Sequence, residues 1–168
     1  MARIPLRPIQ ARETTVTGES ASAEKGASEQ ATPRSLKVLL VEDHAINRKL
    51  AEVMLARMGH GVVTVDNGQQ ALDQLDQRSF DVVLMDVRMP LRNGIEATRH
   101  LQAECTEPPK VLVITTFEND GYVTAALSAG ASGFVLKRLP VPQIAAAVRV
   151  VAAGEVILFQ GRSYKSYR

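Results

Sequence analysis

Val82-Val83-Leu84-Met85-Asp86 is followed by Val87-Arg88-Met89-Pro90. Four consecutive apolar residues predict a strand buried on both faces, as a central strand of a parallel sheet is. The run ends on a carboxylate. Pro90 has no N–H to give to a ladder and stops the strand from continuing. An acidic side chain at the carboxyl end of such a strand lies where open α/β sheets place their ligands.

The same punctuation recurs on both sides of this stretch. Lys37-Val38-Leu39-Leu40-Val41 reads as a buried strand ending in Glu42-Asp43. A helix follows over roughly 45–58, with an apolar stripe of Ile46, Leu50, Val53, Met54 and Leu55, and Gly59 and Gly61 end it. Gly61 to Val65 is a second strand. Asp66 or Asn67 caps a second helix, which turns Ala71, Leu72 and Leu75 inward. After the third strand, 80–86, come a helix over 94–102, the breaker Pro108-Pro109 and a strand over 110–115. A helix over 119–129 is stopped by Gly130, and a strand over 132–137 and a helix over 140–153 complete the series. Five strands alternating with five helices require right-handed crossovers and helices on both faces of a parallel sheet. The expected fold class is α/β, a doubly wound five-stranded sheet in the flavodoxin-like order 2-1-3-4-5. Residues 1–35, rich in Ala, Ser, Thr, Glu and Gly without apolar periodicity, read as a disordered leader or linker. Residues 36–154 form the domain, and 155–168 read as a short C-terminal tail without helical periodicity.

Composition narrows the classes. The net charge of +2 comes from the tails, because between Leu36 and Gly154 acids outnumber bases by one. No nucleic-acid footprint is expected from that balance. A lone Cys105 excludes an intramolecular disulfide and fits a reducing, cytoplasmic location. Its neighbours Glu104 and Glu107 should raise its pKa rather than activate it. No apolar run approaches the roughly 20 residues of a membrane span. His44 and His60, separated by a whole helix and without a third ligand, read as solvated.

A parallel sheet carries its strands' carboxyl ends to one side. That gathers Glu42-Asp43, Asp86, Thr115-Thr116 and Lys137. Crowded carboxylates repel unless a cation is present, and hard oxygen donors with room for water suit Mg2+. A carboxylate can itself be a nucleophile toward phosphorus, giving an aspartyl phosphate. Taken singly, each residue also has an ordinary reading. Glu42 and Asp43 can be loop acids, Asp86 a turn cap, Thr115 a strand residue, Lys137 a solvated base and Phe134 core.

The joint pattern resembles a family. Val41-Glu42-Asp43, Leu84-Met85-Asp86-Val87-Arg88-Met89-Pro90, Val113-Ile114-Thr115-Thr116 and Gly133-Phe134-Val135-Leu136-Lys137 are similar to the receiver domains of bacterial two-component response regulators, over roughly 36–154. The resemblance implies a signalling module rather than an enzyme. In it Asp86 is the phosphoacceptor, and Glu42, Asp43, Asp86 and the Arg88 carbonyl hold Mg2+. Thr115 and Lys137 contact the phosphoryl group, and Thr115 and Phe134 act as the switch pair. The implied partner is a sensor histidine kinase or histidine phosphotransfer protein. Signalling, including homodimerisation, would use the face made by the fourth helix, fifth strand and fifth helix. Arg88 and Phe117 lie two residues beyond Asp86 and Thr115 and would slow loss of the phosphoryl group.

Two features depart from the pattern. Receivers commonly have Pro after the lysine, whereas Arg138 stands here, so a trans bond is expected at a position where Pro is often cis. The front half, with Asn47-Arg48-Lys49-Leu50, resembles receivers of hybrid sensor kinases. The back half, with Ala129-Gly130-Ala131-Ser132-Gly133-Phe134, resembles receivers that precede a helix-turn-helix domain. A receiver-like adaptor that is never phosphorylated is the alternative function. A flavin or nucleotide binder on the same sheet lacks a Gly-rich phosphate loop after the first strand.

Overall fold

The computed structural model describes residues 34–116, 119–160 and 163–167. In order these form β1 (Lys37–Val41), α1 (Ala45–Arg57), β2 (Gly61–Val65), α2 (Gly68–Gln77), β3 (Val82–Asp86) and α3 (Gly94–Glu104). Then come β4 (Lys110–Thr115), α4 (Asp120–Ser128), β5 (Gly133–Leu136), α5 (Val141–Ala152), β6 (Val156–Gln160) and β7 (Ser163–Tyr167). The strands lie side by side in the order β2-β1-β3-β4-β5-β6-β7. The first five are parallel and in the expected 2-1-3-4-5 order.

Strand periodicity divides the core between the two faces of the sheet. Val38, Leu40, Val82, Leu84, Leu112, Ile114 and Val135 point to one side, where Leu55 of α1 and Ile144, Val148 and Val151 of α5 cover them. Leu39, Val41, Val83, Met85, Val111, Val113, Phe134 and Leu136 point to the other, against Ala71, Ile95, Ala97, Leu101 and Ala126 of α2, α3 and α4. All five residues of β3 are buried, as a strand at the centre of a two-faced core must be. Asparagines start three helices: the side chains of Asn67, Asn93 and Asn119 accept from the amides of Gln70, Glu96 and Gly121. Front-half Leu84 and back-half Ile114 share one cluster, so the halves with different resemblances pack as one body.

Three expectations are corrected. Among the described residues the sheet has seven strands, not five. The short C-terminal tail after Gly154 contains β6, parallel to β5, and β7, which returns antiparallel to β6. The apolar run Val156-Ile157-Leu158-Phe159 supplies the pairing strand. Secondly, His60 is not solvated but 6% exposed, because the turn after α1 folds it under the start of β1, where its Nδ1 accepts from the Leu36 amide at 3.3 Å. Thirdly, the α1 stripe does not turn inward as a whole. Leu55 is fully buried, while Ile46 and Leu50 are 73% and 67% exposed. Ile46, Leu50 and Val53 follow one another along the side of the helix away from the sheet, while Ala51, Met54 and Leu55 on the other side pack against the core. The leader at 1–33 lies outside the described residues. Arg34 and Ser35, placed in that leader, already belong to the domain: Arg34 pairs with Asp81 and the Ser35 hydroxyl donates to the Gly59 carbonyl. No described peptide bond is cis, so Lys137-Arg138 is trans as expected.

His60 makes folding sensitive to acid. Burial, and secondarily the charge of Arg149, hold its pKa below the ordinary histidine value. Protonation must give up the Leu36 bond and charge a ring whose Nε2 has no partner. With the folded pKa depressed, the unfolded chain binds the extra proton first. The stability His60 contributes is therefore complete above about pH 6.5 and drains as the pH falls toward the folded value. The melting temperature should drop between about pH 7.5 and 5.5. It should drop less in His60→Asn, which keeps an acceptor without the titration. Equal pH slopes in the two proteins would remove His60 as the cause.

Candidate functional site

Four strand ends meet at the carboxyl side of the sheet. Glu42 follows β1, Asp86 ends β3, Thr115 ends β4 and Lys137 follows β5. Glu42, Asp86 and Thr115 are 3%, 5% and 1% exposed, while Asp43 faces solvent. One carboxylate oxygen each from Glu42, Asp43 and Asp86 lie within 4.8 Å of one another. Lys137 reaches into this cluster. Its Nζ lies 2.5 Å from Glu42 Oε2 and 3.1 Å from Asp86 Oδ2. The Lys137 backbone amide also donates to the Thr115 carbonyl at 2.8 Å, which carries the β4–β5 ladder one residue past the strand.

The second oxygen of Glu42 accepts from Asn47 Nδ2 and from the His44 amide, both at 3.3 Å. Arg48, one turn into α1, donates to the Glu42 carbonyl at 3.1 Å and pairs with Asp66 at the end of β2. The acid after β1 is thus tied to its own helix and to the neighbouring strand. Burial raises the pKa of Asp86. The positive charge of Lys137 opposes that rise, and the charge of Glu42 adds to it. Three hard oxygen donors with one open to solvent fit a small divalent cation that keeps part of its water. The geometry brings together Glu42, Asp43, Asp86 and Lys137, with Thr115 at the neighbouring strand end. Arg88 stands two residues past Asp86 with its side chain exposed. Phe134 lies away from the acids, 1% exposed in the α2–α3–α4 core. Phe117 lies outside the described residues. The Cys105 pKa is raised in the expected direction, but first by burial and then by Asp76 and Glu104, with Glu107 not contributing.

This architecture has a counterpart among known proteins. The family model for the response regulator receiver domain matches residues 38–149. The chain belongs to that family. The receiver is 35% identical over 129 residues to the transcriptional regulatory protein DegU of Brevibacillus brevis, covering 76% of this chain and 54% of that one. It is 36% identical over 112 residues to histidine kinase 5 of Arabidopsis thaliana, covering 67% of this chain and 10% of the kinase. The chain thus spans about half the length of the regulator and a tenth of the kinase. Among solved structures, it matches the receiver domain of sensor histidine kinase PA1611 from Pseudomonas aeruginosa PAO1, which has a magnesium ion coordinated in its active-site cleft. The TM-score is 0.65 and the identity 27%, over 71% of this chain and 99% of that one. Among the described residues, no helix is long and apolar enough to cross a membrane.

Two residues that shape the site escaped the sequence reading. Gly94 opens α3 against the end of β3. A Cβ there would stand 1.9 Å from the Asp86 carbonyl oxygen and 2.9 Å from Met85 Cγ, and the Gly94 amide donates to the Val87 carbonyl at 3.0 Å. The only sequence signal is the pair Asn93-Gly94 at a helix start. Leu91 has φ +69 and is 90% exposed, a left-handed backbone on a residue ill suited to it.

Gly94→Ala should therefore cost roughly 1–3 kcal/mol or more, because backbone rather than a pliable side chain must yield. Denaturant unfolding would read this, and a variant as stable as the parent would contradict the contact. Leu91→Asn should do the opposite, gaining about 1 kcal/mol by relieving the left-handed penalty without loss of burial. An unchanged midpoint would show that the loop carries no such strain.

Proposed function

We propose that this receiver accepts a phosphoryl group on Asp86 and passes the signal on by protein contact. The observation that carries the reading is the Lys137 ammonium held between the buried carboxylates of Glu42 and Asp86. A cation beside a nucleophile is what transfer of a dianionic group requires.

The donor is a phosphohistidine on a sensor histidine kinase or histidine phosphotransfer protein. An Asp86 carboxylate oxygen attacks phosphorus in line. The N–P bond breaks, and the imidazole nitrogen leaves with the bonding pair. Glu42, Asp43, Asp86 and the Arg88 carbonyl would hold Mg2+, which would supply neutralisation of the phosphoryl oxygens. Lys137 exchanges a carboxylate oxygen for a phosphoryl oxygen, a small movement because its Nζ already touches both acids. Thr115, at the end of the adjacent strand, donates its hydroxyl to another phosphoryl oxygen. The Thr115 shift is transmitted to Phe134 in β5 and so to the α4–β5–α5 face, through which the signal leaves. Arg88 screens the acyl phosphate from water.

The exposed face of α1 supports the partner assignment. Ile46, Leu50 and Val53 recur at helical spacing beside Glu42's partner Asn47, and Leu50 lines a groove of about 130 Å3 with Met54, Leu139, Val141 and Ile144. An apolar helix pair of a phosphotransfer partner fits there and would deliver its histidine to the adjacent acids.

Acetyl phosphate with Mg2+ should label the wild-type protein, and Asp86→Asn should reduce the label at least a hundredfold, to background. Omitting Mg2+ should give the same loss. A label that persists in Asp86→Asn, or a wild-type protein that takes none, overturns the assignment.

A further inference from the structure

Glu42 is tied by its side chain and by its backbone. Oε2 meets the Lys137 ammonium at 2.5 Å, and Oε1 accepts from Asn47 Nδ2 and the His44 amide, both at 3.3 Å. The Glu42 amide donates to the Val65 carbonyl at 3.1 Å, and the Glu42 carbonyl accepts from Arg48 Nη1 at 3.1 Å. Lys137 is not a lasting anchor. In the proposed transfer it exchanges a carboxylate oxygen for a phosphoryl oxygen, and it would be repelled by a divalent cation on the same acids. Once it moves, Glu42 keeps only what α1 and β2 give it. The two bonds to Oε1 are long, so the backbone contacts carry most of the positioning.

One nitrogen makes the α1 side of that support. Arg48 Nη1 donates to the Glu42 carbonyl and also pairs with the Asp66 carboxylate. Its two hydrogens serve one acceptor each, so Asp66 fixes the direction in which the other hydrogen points. Asp66 is held in turn, because its amide donates to Gln70 Oε1 at 2.9 Å. A chain of contacts therefore runs from α2 through Asp66 and Arg48 to the end of β1.

What it grips is the peptide unit between Glu42 and Asp43. That unit is planar, so fixing its carbonyl orients the residues on both sides. Both are acids of the candidate metal cluster. The pair itself is a poor device for stability. The Arg48 and Asp66 side chains are 27% and 59% exposed, and an ion pair that open adds little to folding.

We propose that Arg48, aimed by Asp66, is a positioning residue for the divalent cation. By clamping the Glu42 carbonyl it keeps Glu42 and Asp43 in place after Lys137 has moved, and so sets how tightly this receiver holds Mg2+. Partners one step removed from metal ligands act on affinity in this way. The proposal rests on the reading of Glu42, Asp43 and Asp86 as the metal's acids.

The test measures Mg2+ affinity on the full chain without phosphodonor, from the amide NMR shifts of Asp43 and Val87 during a titration with magnesium chloride. Wild type should saturate. Arg48→Ala should raise the dissociation constant about 10–100-fold, with the melting temperature nearly unchanged. The sign is decisive. Charge alone predicts tighter binding when a positive group near a cation site is removed, so weaker binding reports position. Asp66→Ala should also weaken binding, but only while Arg48 is present. In the Arg48→Ala background it should add nothing, whereas an acid acting through its charge would add its loss again. Circular dichroism checks the fold. If the alanine variant does not fold, Arg48→Lys carries the test in the same direction, since it keeps the charge without the planar fork. A folded Arg48→Ala protein that binds Mg2+ as tightly as wild type, or more tightly, overturns the proposal. So does an Asp66→Ala loss that persists undiminished without Arg48, or a loss of affinity matched by a large fall in melting temperature. A wild-type protein whose shifts do not saturate removes the metal reading itself, and the clamp's role with it.

Discussion

The arrangement depends on one cation held between two acids. Glu42 and Asp86 are nearly inaccessible to water, and a carboxylate pair in such a place repels unless something positive stands between them. The Lys137 ammonium does so, 95 residues away in sequence from Glu42. Removing one partner of a buried ion pair leaves an uncompensated charge, and that is far costlier than the pair's net worth. Three strands are thereby made to end together, since β1, β3 and β5 each contribute one member. The rise in the Asp86 pKa measures how finely this is balanced. Burial outweighs the lysine, and Glu42 pushes the same way as burial.

The sheet's register turns that electrostatic constraint into position. Val41 is level with Met85, Asp86 with Ile114, and Thr115 with Leu136. The acids therefore begin one residue after β1 and on the last residue of β3, and Thr115 closes β4 beside them. A slip of one residue in any strand would turn its apolar set out of the core, so the hydrophobic pattern that specifies the register also specifies the site. Gly94 belongs to this scheme. Because it has no Cβ, α3 can start against the Asp86 carbonyl and hold the end of β3 from below.

Much of this is legible in the chain. Apolar runs closed by Gly, Pro or an acid mark five strands and their order, and the strand ends give Glu42, Asp43, Asp86, Thr115 and Lys137 without any coordinates. The omissions have physical causes. β6 carries its apolar residues in one unbroken run followed by a polar, basic stretch, and nothing in it signals pairing until β5 is seen to present an open edge. His60, between two glycines, looks like a turn residue. Its burial comes from the start of β1 folding over it, a contact 24 residues distant. The apolar residues of α1 divide between two sides of the helix, Ala51, Met54 and Leu55 on the core and Ile46, Leu50 and Val53 on the surface, and the sequence does not say which side meets the sheet. The side chain of Arg48 is unremarkable in sequence, and its role appears only when Asp66 is brought alongside.

The two edges of the sheet are treated differently. β2 closes the other side with Gly61-Val62-Val63-Thr64-Val65, as free of charge as β5, and among the described residues no further strand pairs with it. Among the described residues, the added strands lie on the side whose edge strand leads directly into Lys137. Their seam runs through Phe134, whose neighbours in β4 lead to Thr115. The ladder between β5 and β6, two residues long, is the shortest in a sheet whose other described neighbouring strands pair over four or five positions.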